Sequence, residues 1–238
     1  MKKTNWIGFL PFYLLVFILF VGLAVWGSKT VTTIAQNRPV ERYHTIIIDA
    51  GHGGIDGGAT SCSGVLESKL NLDIALRLEA VMQLLGHDTV MIRRTDTSIY
   101  TEGNTIASQK ISDLKERVRI VNETPNAILI SIHQNTFPDG RYSGAQVFYG
   151  EEGNSRELAQ SLQLNFNLTL CRDSKRKTKK ADGVYLMQNI DCSGVLIECG
   201  FLTNPEEEAK LRDNGYQKQL CCVIASTVSA FTHSQNQG

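Results

Sequence analysis

From residue 45 onward, short apolar runs rich in β-branched residues alternate with segments whose apolar residues recur at helical spacing. This alternation predicts an α/β domain with a central, largely parallel or mixed sheet of about six strands flanked by helices. We predict strands at 45–49, 88–93, 127–133, 145–149, 183–188 and 195–199. We predict helices at 66–85, 113–121, 155–170 and 216–231, and a short one that starts at Pro205.

The first 28 residues differ from the rest of the chain. Lys2 and Lys3 precede an apolar run of 20 residues from Ile7 to Trp26. A membrane-spanning helix needs about 20 such residues, whereas a secretory signal uses about 7–15. We expect an N-terminal hydrophobic helix at 1–28 that is either a membrane anchor or, since Pro11 shortens the clean run, a cleaved signal peptide. The remainder is then extracytoplasmic, with a linker at 29–44, one domain at 45–233 and a tail at 234–238.

Charge and cysteine content narrow the class of protein. The 24 basic and 24 acidic residues balance, and this lack of a basic surplus argues against a nucleic-acid partner. Six cysteines in an exported chain are compatible with disulfides. Cys221 and Cys222 are adjacent in a helical pattern, however, and Cys199 ends a buried strand pattern. We therefore expect mostly free thiols.

Polar residues capable of catalysis follow three of the predicted strands. His52 lies in a glycine-rich turn after the first strand, His133 ends the third strand, and Glu198 ends the last one. Glu67 stands at the start of the first helix. Functional residues of α/β folds gather beyond the carboxyl ends of strands, so these four are candidate site residues.

Two histidines, one carboxylate and an open position make a typical catalytic zinc set, and a further Glu can serve as general base. Each residue alone has an ordinary explanation. His52 suits a turn, His133 a strand end, and Glu67 the first turn of a helix. Glu198 is costly at the end of an apolar strand unless something pairs it. The chain has no His-Glu-x-x-His helix, no Gly-x-Ser-x-Gly elbow and no Walker loop.

The motifs Asp-x-Gly-His-Gly-Gly, Ser-Ile-His-x-Asn and Glu-x-Gly-Phe-Leu-x-Asn, with the Glu before the first helix, carry a family resemblance. Together they resemble the zinc-dependent N-acetylmuramoyl-L-alanine amidases of the Amidase_3 type, over residues 45–231. Segments 142–149 and 183–189 look like the germination-specific amidases of spore-forming bacteria. Those enzymes prepare spore-cortex peptidoglycan for the formation of muramic-δ-lactam.

The resemblance implies an α/β fold with about six strands, and it assigns a role to each candidate residue. His52, Glu67 and His133 would bind one Zn²⁺ ion, and Glu198 would be the catalytic carboxylate. The bond cleaved would join the muramic acid lactyl group to L-alanine in peptidoglycan. Asn135 would donate to the reacting oxygen or position substrate, or else be a strand-end turn residue. Asp49 would support a ligand histidine, or else be a structural turn residue.

Three residues depart from the family pattern. Ala50 stands where the family usually has Pro, and Thr136 where it commonly has a small apolar residue. Cys199 directly follows Glu198. Because side chains alternate along a strand, we expect Cys199 on the opposite side of the sheet from Glu198.

Two other functions fit parts of the pattern. One is an exported zinc peptidase that cuts peptidoglycan stem peptides, and the other is a non-catalytic wall-binding protein, for which Glu198 would be unnecessary. Expected partners are peptidoglycan, the membrane through the N-terminal segment, and an extracytoplasmic accessory protein. The expected location is the intermembrane cortex space of the developing spore. The basic segment 175–180 is a solvated loop or a contact for anionic groups of the substrate.

Overall fold

The computed structural model of the chain describes Phe17, Val21, residues 44–172 and residues 174–235. Strands and helices alternate along the domain, as the sequence pattern predicts. The strands are β1 (Thr45–Ala50), β2 (Asp88–Met91), β3 (Ala127–Asn135), β4 (Gln146–Tyr149), β5 (Lys179–Lys180) and β6 (Ser193–Phe201). The helices are α1 (Glu67–Leu84), α2 (Ile106–Glu123), α3 (Ser155–Thr169), α4 (Tyr185–Asn189), α5 (Pro205–Arg212) and α6 (Asn214–Gln235).

The six strands form one sheet in the order β2-β1-β3-β6-β4-β5. Strands β2, β1, β3 and β6 pair in parallel, β4 pairs antiparallel with β6, and β5 runs parallel to β4. This mixed, largely parallel sheet flanked by helices confirms the predicted fold class. The carboxyl ends of β1, β3 and β6 therefore meet at one edge of the sheet, which we call the carboxyl edge.

Helices bury both faces of the central strands, which explains their continuous apolar runs. On one face, Ile48, Ile132 and Ile197 belong to a core formed with α1, α3 and α6. On the other face, Ile47 and Leu196 pack with α2 and α4. Full burial of one such side chain stabilises the fold by about 1.5–3 kcal/mol. Packing on both faces thus holds β1, β3 and β6 in place, and only the ends of these strands reach solvent.

The predicted strand at 183–188 is wrong, because this segment contains helix α4. Leu186 and Met187 are buried next to each other, while Tyr185 is 40% exposed. The Asn189 side chain also donates a hydrogen bond to the Tyr185 carbonyl at 2.7 Å. A short apolar run has no period that separates a strand from a buried helical turn.

The sixth strand is instead β5, within the basic segment that was predicted to be a loop. Its two lysines are exposed, and Phe148 and Tyr149 of β4 pair with them in parallel. Such a short, charged edge strand resists pairing with other chains.

Helix α2 begins earlier than the sequence pattern indicates. Thr105 caps it through a reciprocal pair of hydrogen bonds with Ser108, at 3.0 and 3.2 Å. Asp113, the predicted first residue of this helix, lies inside it. Its carboxylate accepts from the Ile99 backbone N–H at 2.7 Å and from Arg117 at 2.6 Å.

The predicted anchor or signal at 1–28 and the linker at 29–44 lie outside the described residues, apart from Phe17, Val21 and His44. Among the residues that the structure describes, no helix combines the length and the hydropathy needed to cross a membrane. Of the predicted tail, Ser234 and Gln235 belong to α6.

All six cysteines are unpaired in the structure. Cys199 and Cys221 lie in the core, where burial raises the pKa of both thiols, that of Cys221 to about 12. Cys199 packs on the face of α1, α3 and α6, opposite to the side on which Glu198 lines a cavity. The expected alternation of these two side chains is confirmed.

Candidate metal centre

The loop after β1 presents His52 in a conformation that few side chains adopt. The φ angle of His52 is 62°, and those of Gly53 and Gly54 are 133° and 58°. Positive φ is uncommon and strained for a residue with a Cβ, and it clusters at functional sites. A Cβ at Gly51 would overlap the imidazole of His133. The glycines of this loop thus allow the two histidines to approach each other.

His52, Glu67 and His133 converge at the carboxyl edge. Glu67 Oε2 lies 3.3 Å from His52 Nε2, and Glu67 Oε1 lies 3.1 Å from His133 Nδ1. The two imidazole rings have centroids 5.0 Å apart and are inclined by 74°. One ligand atom from each of the three residues lies within 4.8 Å of the others. The structure thus brings together the three residues singled out in the sequence.

Glu67 is held in place by its own neighbours. Its carboxylate accepts hydrogen bonds from the backbone N–H groups of Ala59 and Gln134 at 3.0 and 3.1 Å, and from Asn71 at 3.2 Å. Burial alone would raise the pKa of Glu67, but its hydrogen bonds with His133 and His52 lower it well below the usual range. Glu67 is therefore a fixed carboxylate, which is the form that binds a metal.

The donor set fits a zinc ion. In tetrahedral zinc sites, ligands about 2.1 Å from the metal lie about 3.4 Å from one another. One donor atom from each of His52, Glu67 and His133 lies within 4.8 Å of the others, which is close enough for small adjustments to bring all three to one ion. Two imidazoles and one carboxylate leave the fourth position open for water or substrate, as in catalytic zinc sites.

Glu198 lies beside this cluster with one oxygen that has no partner. β6 pairs with β3 so that Glu198 is opposite His133. Its Oε2 atom is buried and makes no hydrogen bond. Burial, with a further contribution from the charge of Glu67, raises the pKa of Glu198 to about 7, although His133 and His52 oppose the shift. A carboxyl group with a pKa near neutrality is well suited to take and return a proton.

A cavity of about 320 Å³ connects these groups. His52, His133 and Glu198 are among the polar residues that line it, and Leu114 and Leu186 are among the apolar ones. Apolar walls reduce the access of water and strengthen electrostatic interactions inside the cavity.

Asn135 and Asp49, the two other sequence candidates, have structural partners. Asn135 does not line the cavity, and its carbonyl accepts from the Leu202 N–H at 2.8 Å. Asp49 is buried, with Ser131 donating to it at 2.6 Å and Arg117 pairing with it. Its carboxylate thus contacts no histidine ring nitrogen, and the roles expected for both residues stay predictions.

Asp56, which sequence reasoning missed, contacts a candidate ligand directly. Its Oδ2 lies 2.9 Å from His52 Nδ1, and its Oδ1 lies 2.8 Å from Lys110 Nζ. Burial lowers the pKa of His52, but Glu67 and then Asp56 outweigh it and raise that pKa to about 9. Metal-binding histidines usually donate their second nitrogen to such a carboxylate, which fixes the ring orientation. The only sequence signal was an acidic residue four positions after His52.

We expect Asp56→Asn to weaken metal binding about 10- to 100-fold, because the amide cannot orient and polarise the His52 ring as the carboxylate does. Zinc titration with a competing chelator measures the change. Asp73→Asn, which alters an exposed carboxylate on α1, is the control and leaves the affinity unchanged. Equal zinc affinity of Asp56→Asn and wild type would remove this role.

Arg117 on α2 holds the loop that carries His52, and sequence reasoning missed it as well. Arg117 as a whole is 2% exposed. It pairs with Asp49 and donates to the carbonyls of Ala50 and His52 at 3.1 and 2.8 Å. It also pairs with Asp113 one turn earlier in the helix. These contacts hold the strained backbone at His52.

Arg117→Ala should destabilise the domain by about 3–5 kcal/mol, because it leaves the buried Asp49 carboxylate without its cation. Urea unfolding followed by circular dichroism measures the loss. The matched control is Arg119→Ala on the same helix, whose guanidinium pairs with Glu116 and Glu123 but is 52% exposed. We expect this control to unfold close to wild type. A similar small change for Arg117→Ala would contradict the account of the loop.

Comparison with known proteins agrees with this geometry. The family model Amidase_3, described as N-acetylmuramoyl-L-alanine amidase, matches residues 46–230. The chain belongs to the Amidase_3 family. The resemblance inferred from the motifs is thereby confirmed, and the chain is an N-acetylmuramoyl-L-alanine amidase that acts on peptidoglycan.

Individual members of the Amidase_3 family align over most of their length. The germination-specific N-acetylmuramoyl-L-alanine amidase of Bacillus subtilis is 34% identical over 225 residues, which cover 94% of this chain and 92% of that protein. The CwlD amidase of Clostridioides difficile, solved in complex with the GerS lipoprotein, has a TM-score of 0.77 and 33% identity, over 80% of this chain and 99% of that one. An N-acetylmuramoyl-L-alanine amidase of Clostridium difficile 630 has a TM-score of 0.70 and 30% identity, over 81% of this chain and 98% of that one.

Proposed function

We propose that this amidase is zinc-dependent and cleaves the bond between the lactyl group of muramic acid and L-alanine in spore-cortex peptidoglycan, with Glu198 as its catalytic base. The observation that carries the proposal is the unpartnered Glu198 oxygen beside the cluster of His52, Glu67 and His133, where Glu198 and both histidines line one cavity. Structural carboxylates are normally satisfied by hydrogen bonds, so an unpaired one in a cavity indicates a reacting group.

Each residue has a role that follows from its position. His52, Glu67 and His133 would hold zinc, which when bound supplies a Lewis acid for the lactyl carbonyl and lowers the pKa of a coordinated water. Glu198 takes the proton of the attacking water and then gives it to the departing alanine nitrogen. The leaving group therefore departs as a neutral amine. The apolar wall of the cavity limits competing water around Glu198.

The cortex assignment is supported by the name and coverage of the Bacillus subtilis relative, a germination-specific amidase. Such a substrate lies outside the cytoplasmic membrane, so the chain would be secreted or anchored through residues 1–28 in the intermembrane cortex space. The test is a sporulating strain whose only copy of the gene encodes Glu198→Gln. Its cortex muropeptides should lack muramic-δ-lactam. A strain with Glu123→Gln, which alters an exposed carboxylate, should retain muramic-δ-lactam. Normal cortex in the first strain would contradict the assignment.

We also propose an extracytoplasmic accessory protein that docks this amidase or stabilises its zinc. The support is the complex of the Clostridioides difficile CwlD amidase with the GerS lipoprotein. Tight zinc binding and full cortex activity of the purified chain alone would contradict this partner.

A further inference from the structure

Two aromatic side chains are left exposed beyond the strands that carry the candidate site. Phe137 and Tyr142 are 43% and 45% exposed, and their ring centroids are 4.3 Å apart. Tyr142 also lies 6.2 Å from the ring of Phe201, over which Arg176 places its guanidinium carbon at 4.8 Å. We call Phe137, Tyr142, Phe201 and Arg176 the aromatic platform. Phe201 itself is 3% exposed, so Phe137 and Tyr142 are the rings of this group that a ligand can reach.

The backbone beneath these rings is held in place. The Phe137 N–H donates to Thr203 Oγ1 at 3.1 Å, and the Asn204 amide donates to the Tyr142 carbonyl at 3.2 Å. A Cβ at Gly140 would lie 2.9 Å from the Thr203 carbonyl oxygen, so the loop passes close to the turn after β6. Rings that are ordered before binding lose little conformational entropy when a ligand arrives.

The aromatic platform includes residues on, or just beyond, the strands that carry the catalytic groups. Phe201 follows Glu198 by three residues in β6, and Phe137 follows His133 by four. At the rise of a strand, the backbone of Phe201 lies about 10 Å from that of Glu198, roughly the length of one disaccharide. Tyr142 precedes β4, whose residue Gln146 pairs with Glu198.

Polar groups that can hydrogen-bond to a glycan lie around Tyr142. An open cleft of about 890 Å³ adjoins it, and five basic and three acidic residues line it together with Asn204. Arg141 pairs with Asp139 at 2.6 Å. Guanidinium and amide N–H groups donate to hydroxyl and acetamido oxygens, and carboxylate and amide oxygens accept from hydroxyl and acetamido N–H groups. The negative faces of aromatic rings attract the C–H groups of a pyranose.

We propose that the aromatic platform binds the glycan strand of the substrate, at the sugar next to the muramic acid whose amide is cleaved. The inference rests on the proposed function, since the muramoyl side of the scissile bond is what brings a glycan to this edge. The aromatic platform thereby selects muramic acid within a polymer over a free muramoyl peptide.

The test uses the zinc-loaded full chain and two substrates, a peptide-bearing strand of several disaccharides and a single N-acetylmuramoyl peptide. For Phe137→Ala and Tyr142→Ala we expect the ratio of kcat/KM for the strand to kcat/KM for the single muramoyl peptide to fall about 5- to 10-fold. The change lies in KM for the strand. Leu84→Ala is the control, because Leu84 is 85% exposed at the far end of α1, about 25 Å along that helix from Glu67.

A second arm measures binding without catalysis. Glu198→Gln should bind peptide-free glycan strands, and the double variant with Tyr142→Ala should bind them about 5- to 10-fold more weakly. An unchanged substrate ratio together with equal binding would overturn the proposal. The proposal would also be overturned if the variants lost only the binding of an accessory protein, because this surface would then be a protein interface. If the proposed function is wrong, wild type will cleave neither substrate at the muramoyl amide. The measurement of glycan binding would still test the role of the aromatic platform.

Discussion

Glu198→Gln should lower kcat for amide hydrolysis about 10²- to 10⁴-fold while the chain keeps one zinc ion. The amide has the shape of the carboxyl group but cannot accept a proton from water. Glu198 is not one of the three clustered groups, and its Oε2 atom makes no hydrogen bond that the substitution would break. Initial rates on a muramoyl peptide give kcat, and atomic emission gives zinc per chain.

The control for this prediction is Glu123→Gln, at a carboxylate that is 63% exposed on α2. It should keep both wild-type rate and zinc content. Zinc loss in Glu198→Gln would mean that Glu198 is a ligand, and a near wild-type rate would mean that another group moves the proton. Thermal unfolding of each variant separates these outcomes from simple misfolding.

His133→Ala should lose zinc and reduce activity at least about 10²-fold, because a catalytic zinc site has only three protein ligands to begin with. Chelation of wild type should have the same effect, and added zinc should restore wild type but not the variant. A ligand that binds only the native state raises its melting temperature. Zinc should therefore raise the Tm of metal-free wild type and leave that of His133→Ala unchanged.

The matched control is His87→Ala, which removes a histidine that contacts Ser229 at 2.7 Å and lies outside the cluster. This variant should bind zinc as wild type does. Stoichiometric zinc in His133→Ala would contradict the assignment of the metal centre. So would a Tm shift with zinc that is equal in the variant and in wild type.

The sequence predicted the central part of the fold and the groups that meet at its edge. The apolar runs of β1, β3 and β6 are long, are buried on both faces, and are separated by clear helical stripes. Parallel strands end at the same edge, so placing His52, His133 and Glu198 after strands was enough to predict that they meet. Glycines around His52 signalled the sharp turn that the structure has.

Features that depend on tertiary contacts were not predictable. Segment 183–188 has too few residues to show a period, and burial of Leu186 and Met187 made it a helix. Asp56 and Arg117 contact the His52 loop through side chains whose partners lie on other elements or in an irregular turn. The start of α2 was predicted at Asp113, whereas the structure places Asp113 inside the helix, paired with Arg117 one turn later.

Mass spectrometry of the products released from intact peptidoglycan by the zinc-loaded chain tests the central claim most directly. We predict muramic acid with a free lactyl carboxyl group, together with stem peptides that begin at L-alanine with a free amine. Both products should be absent from digests by Glu198→Gln with zinc retained. Products cleaved within the stem peptide, with the lactyl amide intact, would contradict the account.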